Sequence, residues 1–168
     1  CAEHLCHTLG WDGPIHAQKE DLGKSGTLGR LSQQGIILER YLLPKLKEFT
    51  PGLPDSAYHD AMKELASFSS TLDLLGANKE KDNLLRTGYD AIYKDSDGKN
   101  QTKRIPFFDF NCPERNHFLV VREFWVRGDL HTRRADIIGF VNGIPLVFIE
   151  CKNANKNIKV AYDNNLKD

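Results

Sequence analysis

The stretch RRADIIGFVNGIPLVFIECKN, residues 133–153, decides the fold of this chain. Two strongly apolar runs, 135–141 and 144–151, flank the dipeptide Asn142-Gly143. Apolar runs on either side of Asn-Gly are the strongest short-range signal for a β-hairpin. The sequence therefore predicts two antiparallel strands joined by a tight turn.

Charged residues stand at the outer ends of both predicted strands. Asp136 lies near the start of the first strand, and Glu150 and Lys152 lie at the end of the second. A hairpin brings these ends together, and grouped carboxylates are costly to desolvate unless a cation compensates them. Mg²⁺ prefers one or two carboxylates together with water and phosphate oxygens. The pattern therefore predicts a magnesium site, with a surface salt bridge at a strand end as the alternative interpretation.

The register of the hairpin decides whether one ion can be shared. With a two-residue turn and an unbroken ladder, Asp136 pairs with Ile149 and points to the face opposite Glu150, because side chains alternate along a strand. A three-residue loop over 141–143 places both carboxylates on one face. We therefore expect a three-residue loop, or a bulge further along either strand.

Several segments are specific enough to suggest a family. The pattern Asp-x13-Glu-x-Lys at 136–152 resembles the PD-(D/E)xK nuclease superfamily. NHFLVV (116–121), the stretch 133–153 and AYDNNLKD (161–168) resemble the N-terminal nuclease domain of the R subunit of type I restriction enzymes. LGRLSQQGIILERYL (28–42) and LLRTGYD (84–90) also fit that family. The resemblance runs from about residue 28 to the end and is weakest over 50–80.

The resemblance implies an α/β (α+β layered) domain with a PD-(D/E)xK restriction-endonuclease-like core, a mixed sheet flanked by helices. We expect a single nuclease domain over 1–168 that is an N-terminal piece of a longer chain. Its expected parts are a terminal helix end and loop (1–27), a helical part (28–88), a sheet (89–152) and the start of another helix (153–168).

The resemblance also implies roles for individual residues. Asp136 and Glu150 hold Mg²⁺ with help from the backbone carbonyl of Cys151, and Lys152 positions the water or stabilises the transition state. An acid from the first core helix often joins such sites, and Glu39 is the candidate, with a solvated helix carboxylate as the alternative.

DNA contacts are expected from three further residues. Arg133 and Arg134 flank Asp136 and are suited to bind phosphates as forks, or else to pair with nearby carboxylates. Asn165 matches a family position that carries Gln or Asn four residues before a Tyr, but that Tyr would be residue 169. Relatives often carry Leu where this chain has Cys151, and Pro rather than Ala between the Arg and the Asp.

The expected function is a cytoplasmic, Mg²⁺-dependent endonuclease that acts on double-stranded DNA. The resemblance implies methylation and specificity subunits as partners, and an ATP-driven motor further along the intact chain. The alternative is a catalytically silent DNA-binding or subunit-assembly module with a vestigial site. A nuclease from another branch is a third possibility, against which the segment 28–42 argues.

The composition and the charge distribution are those of a globular domain with a basic excess in its second half. The 168 residues are 40% hydrophobic and 27% charged, with zero formal net charge. Residues 1–98 hold 11 Lys and Arg against 15 Asp and Glu, and residues 99–168 hold 12 against 8. The basic excess thus falls on the half with the hairpin, which is the sign that phosphate binding needs. The four cysteines show no C-x2-C pairing, so reduced thiols are expected.

Periodicity predicts the remaining elements. Helices are expected from Ser32 to Phe49, with a kink or break at Pro44, from 55 to 67, and from 79 to 87 with Gly88 as the stop. Strands are expected at 89–93, 103–110 and 118–126, the first two joined by a turn at 95–98. Residues 10–30 are expected to form a loop. Neither a zinc site among the Cys and His residues at 1–7 nor a P-loop at 23–25 is supported by spacing.

Overall fold

The computed structural model describes residues 1–67, 73–128 and 130–151. The helices in these ranges are α1 (Ala2–Leu9), α2 (Glu39–Phe49), α3 (Asp55–Ala66) and α4 (Leu74–Thr87). The strands are β1 (Asp12–His16), β2 (Tyr89–Lys94), β3 (Asn100–Ile105), β4 (Phe118–Arg127), β5 (Thr132–Val141) and β6 (Ile144–Ile149). None of the helices described is long and apolar enough to cross a membrane.

The main sheet is mixed. Its strand order is β1-β4-β5-β6, with β1 parallel to β4 and the other neighbours antiparallel. β2 and β3 form a separate antiparallel hairpin. A mixed four-stranded sheet flanked by helices is consistent with a PD-(D/E)xK-like nuclease core, so the predicted fold class is confirmed.

Both faces of the main sheet are covered. On one face, Ala2 of α1 packs against Val120 of β4 and Ile137 of β5. On the other face, Leu28 and Leu38 pack in a cluster with residues of β4 and β5. A third cluster joins α2, α3 and the β2–β3 hairpin, and burial of its aliphatic and aromatic side chains supplies the main driving force for packing this layer.

The helix α2 starts later than predicted, because a backbone N–H before it is hydrogen-bonded to the hairpin turn. α2 begins at Glu39 rather than Ser32, since the Leu38 N–H donates to the Gly143 carbonyl at 2.8 Å and ties this segment to the hairpin turn. α2 also continues through Pro44, with no break. Buried side chains on either side of the proline, Leu42 and Leu46, hold the helix together.

α3 and α4 show the same limit of sequence reasoning. α3 runs as predicted to a C-cap at Ser67, but its N-cap is Pro54, which has no side-chain bond. α4 begins five residues before the predicted position, because the Asp73 side chain accepts the Gly76 N–H at 2.7 Å and caps it. Its predicted stop is confirmed at Gly88, whose φ of 84° suits glycine.

The strand predictions failed for β1 and for the bounds of β3. β1 lies inside the predicted loop, and its partner β4 follows more than a hundred residues later. β3 spans Asn100–Ile105, so Pro106 follows the strand rather than lying within it. The turn at 95–98 and the β4 strand are confirmed. The sheet expected over 89–152 is instead divided into two sheets.

A buried ion pair fixes the polar segment that follows β1. Glu20 and Arg30 pair with side chains only 2% exposed, and the Arg30 Nε donates to both Glu20 carboxylate oxygens at 2.8 and 2.9 Å. Arg30 also donates to the Trp125 carbonyl of β4 at 2.8 Å and lies 4.0 Å from the centre of the Phe124 ring. This segment is therefore anchored to the sheet by charge as well as by apolar contact.

Candidate active site

The turn of the β5–β6 hairpin has two residues. Val141 pairs with Ile144, and Asn142 and Gly143 both have positive φ, 52° and 79°. This is the conformation that Asn-Gly favours in two-residue hairpins. The expected three-residue loop is therefore wrong.

A bulge further along the hairpin takes its place. Phe140 pairs with Pro145 but Gly139 pairs with Val147, so Leu146 is the extra residue on β6. The alternative prediction, a bulge in one of the strands, is thereby confirmed. The ladder is described as far as Ile137 opposite Ile149, and the same register places Glu150 across from Asp136.

The Asp136 carboxylate meets the end of β6 directly. Its Oδ2 accepts the backbone N–H of Cys151 at 2.8 Å. Within the described part of the chain, Oδ1 has no hydrogen-bond partner. One oxygen is thus used to hold the two strand ends together, and the other is available to a ligand.

β4 departs from regular alternation next to this position. Glu123 has φ of 55°, in the left-handed region that residues other than glycine rarely adopt. Val121 and Phe124, three residues apart, belong to the same buried cluster, whereas a regular strand presents every second residue to one face. The chain therefore changes face between them, and both Arg122 and Glu123 line the same cavity.

The neighbouring strand β5 also departs from regular alternation of its side chains. The register places Asp136 across from Glu123. Ala135 and Ile138, also three residues apart, contribute to one buried cluster, so Asp136 and Ile137 both lie on the opposite side of the sheet, beside α1. Asp136 is therefore directed away from the cluster that regular alternation would have placed it in.

These side chains line a cavity of about 450 Å³ between α1 and the sheet. Its lining residues are Cys1, Ala2, Glu3, Arg122, Glu123, Asp136, Ile137 and Cys151. Three carboxylates and one guanidinium thus face a common space. Glu150 is half-buried beside it and interacts with other groups, but it is not among the lining residues.

The two candidate DNA-binding arginines lie next to each other near the start of β5. Arg134 forms an ion pair with Glu123, with 3.5 Å between Nη1 and Oε1, and lies 5.9 Å from the centre of the Trp125 ring. Arg133 and Arg134 both line a separate cavity of about 500 Å³ on the other side of β5. For Arg134, pairing with a carboxylate is therefore the arrangement that the structure shows.

Glu39 is not brought to Asp136. It begins α2 and lines a third cavity, and its neighbour Leu38 bonds the hairpin turn. Asp136 lies five residues along β5 from Val141, or about 17 Å at the usual rise of a strand. Glu39 and Asp136 thus stand toward opposite ends of the hairpin. Lys152 and Asn165 lie outside the described residues.

The donor chemistry of the cavity fits Mg²⁺. Carboxylate oxygens are hard ligands, and this ion takes one or two of them and completes its shell with water and phosphate oxygens. Across the described ranges, no group of three or more His, Cys, Asp or Glu is arranged to hold a metal ion by itself. An ion here would thus depend on water and substrate oxygens as well as on Asp136.

Sequence reasoning missed Glu3, Arg122 and Glu123. The available signal was the pair Arg122-Glu123 inside an otherwise apolar strand, FLVVREFWV. Regular alternation assigns adjacent residues to opposite faces, so their shared cavity was not predictable from the pattern.

The fold indicates a class of protein. A mixed sheet flanked by helices is consistent with a PD-(D/E)xK-like nuclease core. The family comparison makes this more specific: over residues 1–168 the chain matches the model of the type I restriction enzyme R protein N terminus. The chain belongs to that family.

Two curated relatives agree with this assignment. The chain is 31% identical over 153 residues to the type I restriction enzyme HindI endonuclease subunit of Haemophilus influenzae, covering 87% of this chain. It is 26% identical over 131 residues, 76% of this chain, to a Methanocaldococcus jannaschii protein named "Putative type I restriction enzyme MjaIXP endonuclease subunit". The matches span only 14% and 12% of those relatives. No solved structure matches the chain significantly.

Proposed function

We propose that this domain is the Mg²⁺-dependent endonuclease of a type I restriction enzyme R subunit and hydrolyses phosphodiester bonds in double-stranded DNA. One observation carries the proposal. The Asp136 carboxylate faces a polar cavity and is bonded to the amide of Cys151, inside the Glu-Cys-Lys segment. The match to the R-subunit family supports the same conclusion.

Asp136 and Glu150 would hold the ion, together with the backbone carbonyl of Cys151. When bound, Mg²⁺ supplies Lewis-acid stabilisation of the charge on the phosphate. Lys152 would orient the attacking water or stabilise the transition state. Hydrolysis adds the water oxygen to phosphorus and breaks one P–O ester bond, and the proton from the water goes to the departing oxygen.

The wider system is part of the same proposal. The relatives are named as endonuclease subunits of type I restriction enzymes and are several times longer than this chain. We therefore infer that the intact subunit works in the cytoplasm with methylation and specificity subunits and uses ATP in a motor outside these residues. Arg133, Arg134 and Asn165 would contact DNA phosphates near the cleaved bond.

Plasmid cleavage by the intact restriction complex tests the proposal. Asp136→Asn, Glu150→Gln and Lys152→Ala should each lower Mg²⁺-dependent cleavage roughly 100-fold or more, because each removes several kcal/mol of transition-state stabilisation. ATP hydrolysis should remain, since the motor lies elsewhere. Asp97→Asn, at an exposed turn of the β2–β3 hairpin, is the matched control and should cleave normally.

Two results would contradict the proposal. Cleavage at the wild-type rate by any two of the three site variants would exclude this site. Absence of Mg²⁺-dependent cleavage by the wild-type complex, with DNA binding retained, would favour a silent DNA-binding or assembly module instead.

A further inference from the structure

Arg122 is placed differently from the other arginines of this domain. Ion pairs join five arginines to carboxylates: Arg30 to Glu20, Arg86 to Asp82, Arg104 to Asp90, Arg115 to Asp109 and Arg134 to Glu123. The Arg122 side chain forms no hydrogen bond or ion pair with any residue in the ranges described. It is nevertheless half-buried, so it is not simply a solvated surface residue.

The position of Arg122 explains what it could bind. It pairs with Ile137 in the β4–β5 ladder, on the side of the sheet that faces α1, and it lines the same cavity as Asp136 and Cys151. The positive φ of Glu123 follows immediately and keeps both side chains on this side. A guanidinium with five N–H donors is thus presented to the space beside the Asp136 carboxylate.

This combination suits one kind of ligand. A carboxylate with an available oxygen attracts a cation, and an unpaired guanidinium attracts an anion, so a group that brings both together satisfies the cavity. A phosphodiester with its divalent ion does so, because its two non-bridging oxygens match the guanidinium fork. The five ion-paired arginines are instead satisfied directly by carboxylates of the chain.

We propose that Arg122 binds the non-bridging oxygens of the phosphate that is cleaved, and is a catalytic residue of this site. The inference rests on the proposed nuclease function and adds a residue to it. Negative charge on these oxygens must be stabilised as water attacks phosphorus, and a fixed donor beside them provides that stabilisation. Lys152 would act on the water, so the two basic residues would have separate tasks.

Cleavage rates of the intact restriction complex test this assignment. Arg122→Gln should lower kcat roughly 100-fold, as expected for loss of one fixed donor to a developing oxyanion. Arg122→Lys keeps the charge but not the forked pair of donors, so kcat should fall less, roughly 10-fold. Arg127→Gln is the matched control, because Arg127 lies on the same strand but is exposed and lines a different cavity.

Binding of Mn²⁺ to the ATP-free subunit, followed by electron paramagnetic resonance, supplies a second readout. If Arg122 binds phosphate, Arg122→Gln retains the Mn²⁺ that Asp136→Asn loses. If Arg122 only orients the carboxylates, Arg122→Gln loses Mn²⁺ as Asp136→Asn does. Thermal unfolding of each variant checks that the fold is intact, and Arg122→Lys serves if the glutamine variant unfolds.

The outcomes separate this inference from the function on which it rests. Cleavage by Arg122→Gln at the wild-type rate, with Asp136→Asn inactive, would overturn the role of Arg122 and leave the nuclease function standing. Loss of Mn²⁺ binding in Arg122→Gln would also overturn it. Wild-type and Asp136→Asn complexes that cleave equally would remove the proposed function itself, and the role of Arg122 with it.

Discussion

Replacement of Asn142 should destabilise the domain far more than replacement of a surface turn residue. Asn142 is completely buried, although it occupies the hairpin turn between β5 and β6. Its Oδ1 accepts the His117 N–H at 2.8 Å, and its Nδ2 donates to the Phe107 carbonyl at 2.9 Å and to Asn116 Oδ1 at 2.8 Å. We expect Asn142→Ala to lower the free energy of unfolding by about 4 kcal/mol.

The magnitude follows from two separate contributions. The substitution leaves the His117 N–H and the Phe107 carbonyl without these partners, and an unsatisfied buried group costs about 1–3 kcal/mol. Asn116 Oδ1 still accepts the Asp109 N–H, so losing its bond to Asn142 costs less free energy. Alanine at φ 52° adds about 1–2 kcal/mol, because its Cβ disfavours the left-handed region. The total is a large part of the roughly 5–15 kcal/mol that stabilises a domain.

Asn142→Gly separates these contributions. Glycine accepts positive φ without cost but removes the same side-chain bonds. We therefore expect this variant to lower the free energy of unfolding by about 3 kcal/mol. Urea unfolding of the two variants, followed by the fluorescence of Trp11 and Trp125, measures both values. A glycine variant as stable as the wild type would refute the role of the buried bonds. Equal values for Gly and Ala would refute the conformational contribution.

Two further predictions concern charged groups away from the site. Glu20→Gln should lower the free energy of unfolding by about 3–5 kcal/mol, since it leaves the buried Arg30 charge uncompensated. The double variant Glu20→Leu with Arg30→Met should lower it much less. Equal losses of unfolding free energy for the two variants, measured by urea unfolding, would contradict this. The pKa of Asp109 is lowered, chiefly by the Cys112 N–H and also by Arg115, so its stabilising effect is present at neutral pH and is lost as pH falls through that lowered pKa. Asp109→Asn should therefore be less stable than wild type at pH 7 and equal to it in strong acid, and a stability difference independent of pH would argue against the assignment.

The hairpin was predictable because its signal is local. Asn-Gly between apolar runs specifies a two-residue turn with positive φ, and the structure has that turn. The prediction that Asp136 and Glu150 share a face also required a departure from a regular ladder, and the structure has a bulge at Leu146. What remained hidden was the position of the bulge, because either strand could supply it at several places.

Other features depended on contacts distant in sequence. β1 carries Gly13 and Pro14, which weaken any strand signal, and it exists because β4 offers a free edge. The early start of α4 depends on one side-chain bond from Asp73. The prediction that Asp136 and Glu150 share a face assumed that side chains alternate regularly between the two faces of the sheet. In β5 this alternation breaks at Asp136.

The break at Asp136 has a clear energetic reason. Regular alternation from Phe140 and Ile138 would direct the Asp136 carboxylate into the apolar cluster on the other side of the sheet. An unpaired carboxylate buried there would cost at least several kcal/mol. The left-handed conformation of Glu123, directly across the ladder, costs of the order of 1–3 kcal/mol and accompanies the turn of Asp136 to the polar cavity. Strain in one backbone residue is thus the smaller cost, and it accompanies a carboxylate that faces the polar cavity rather than the apolar cluster.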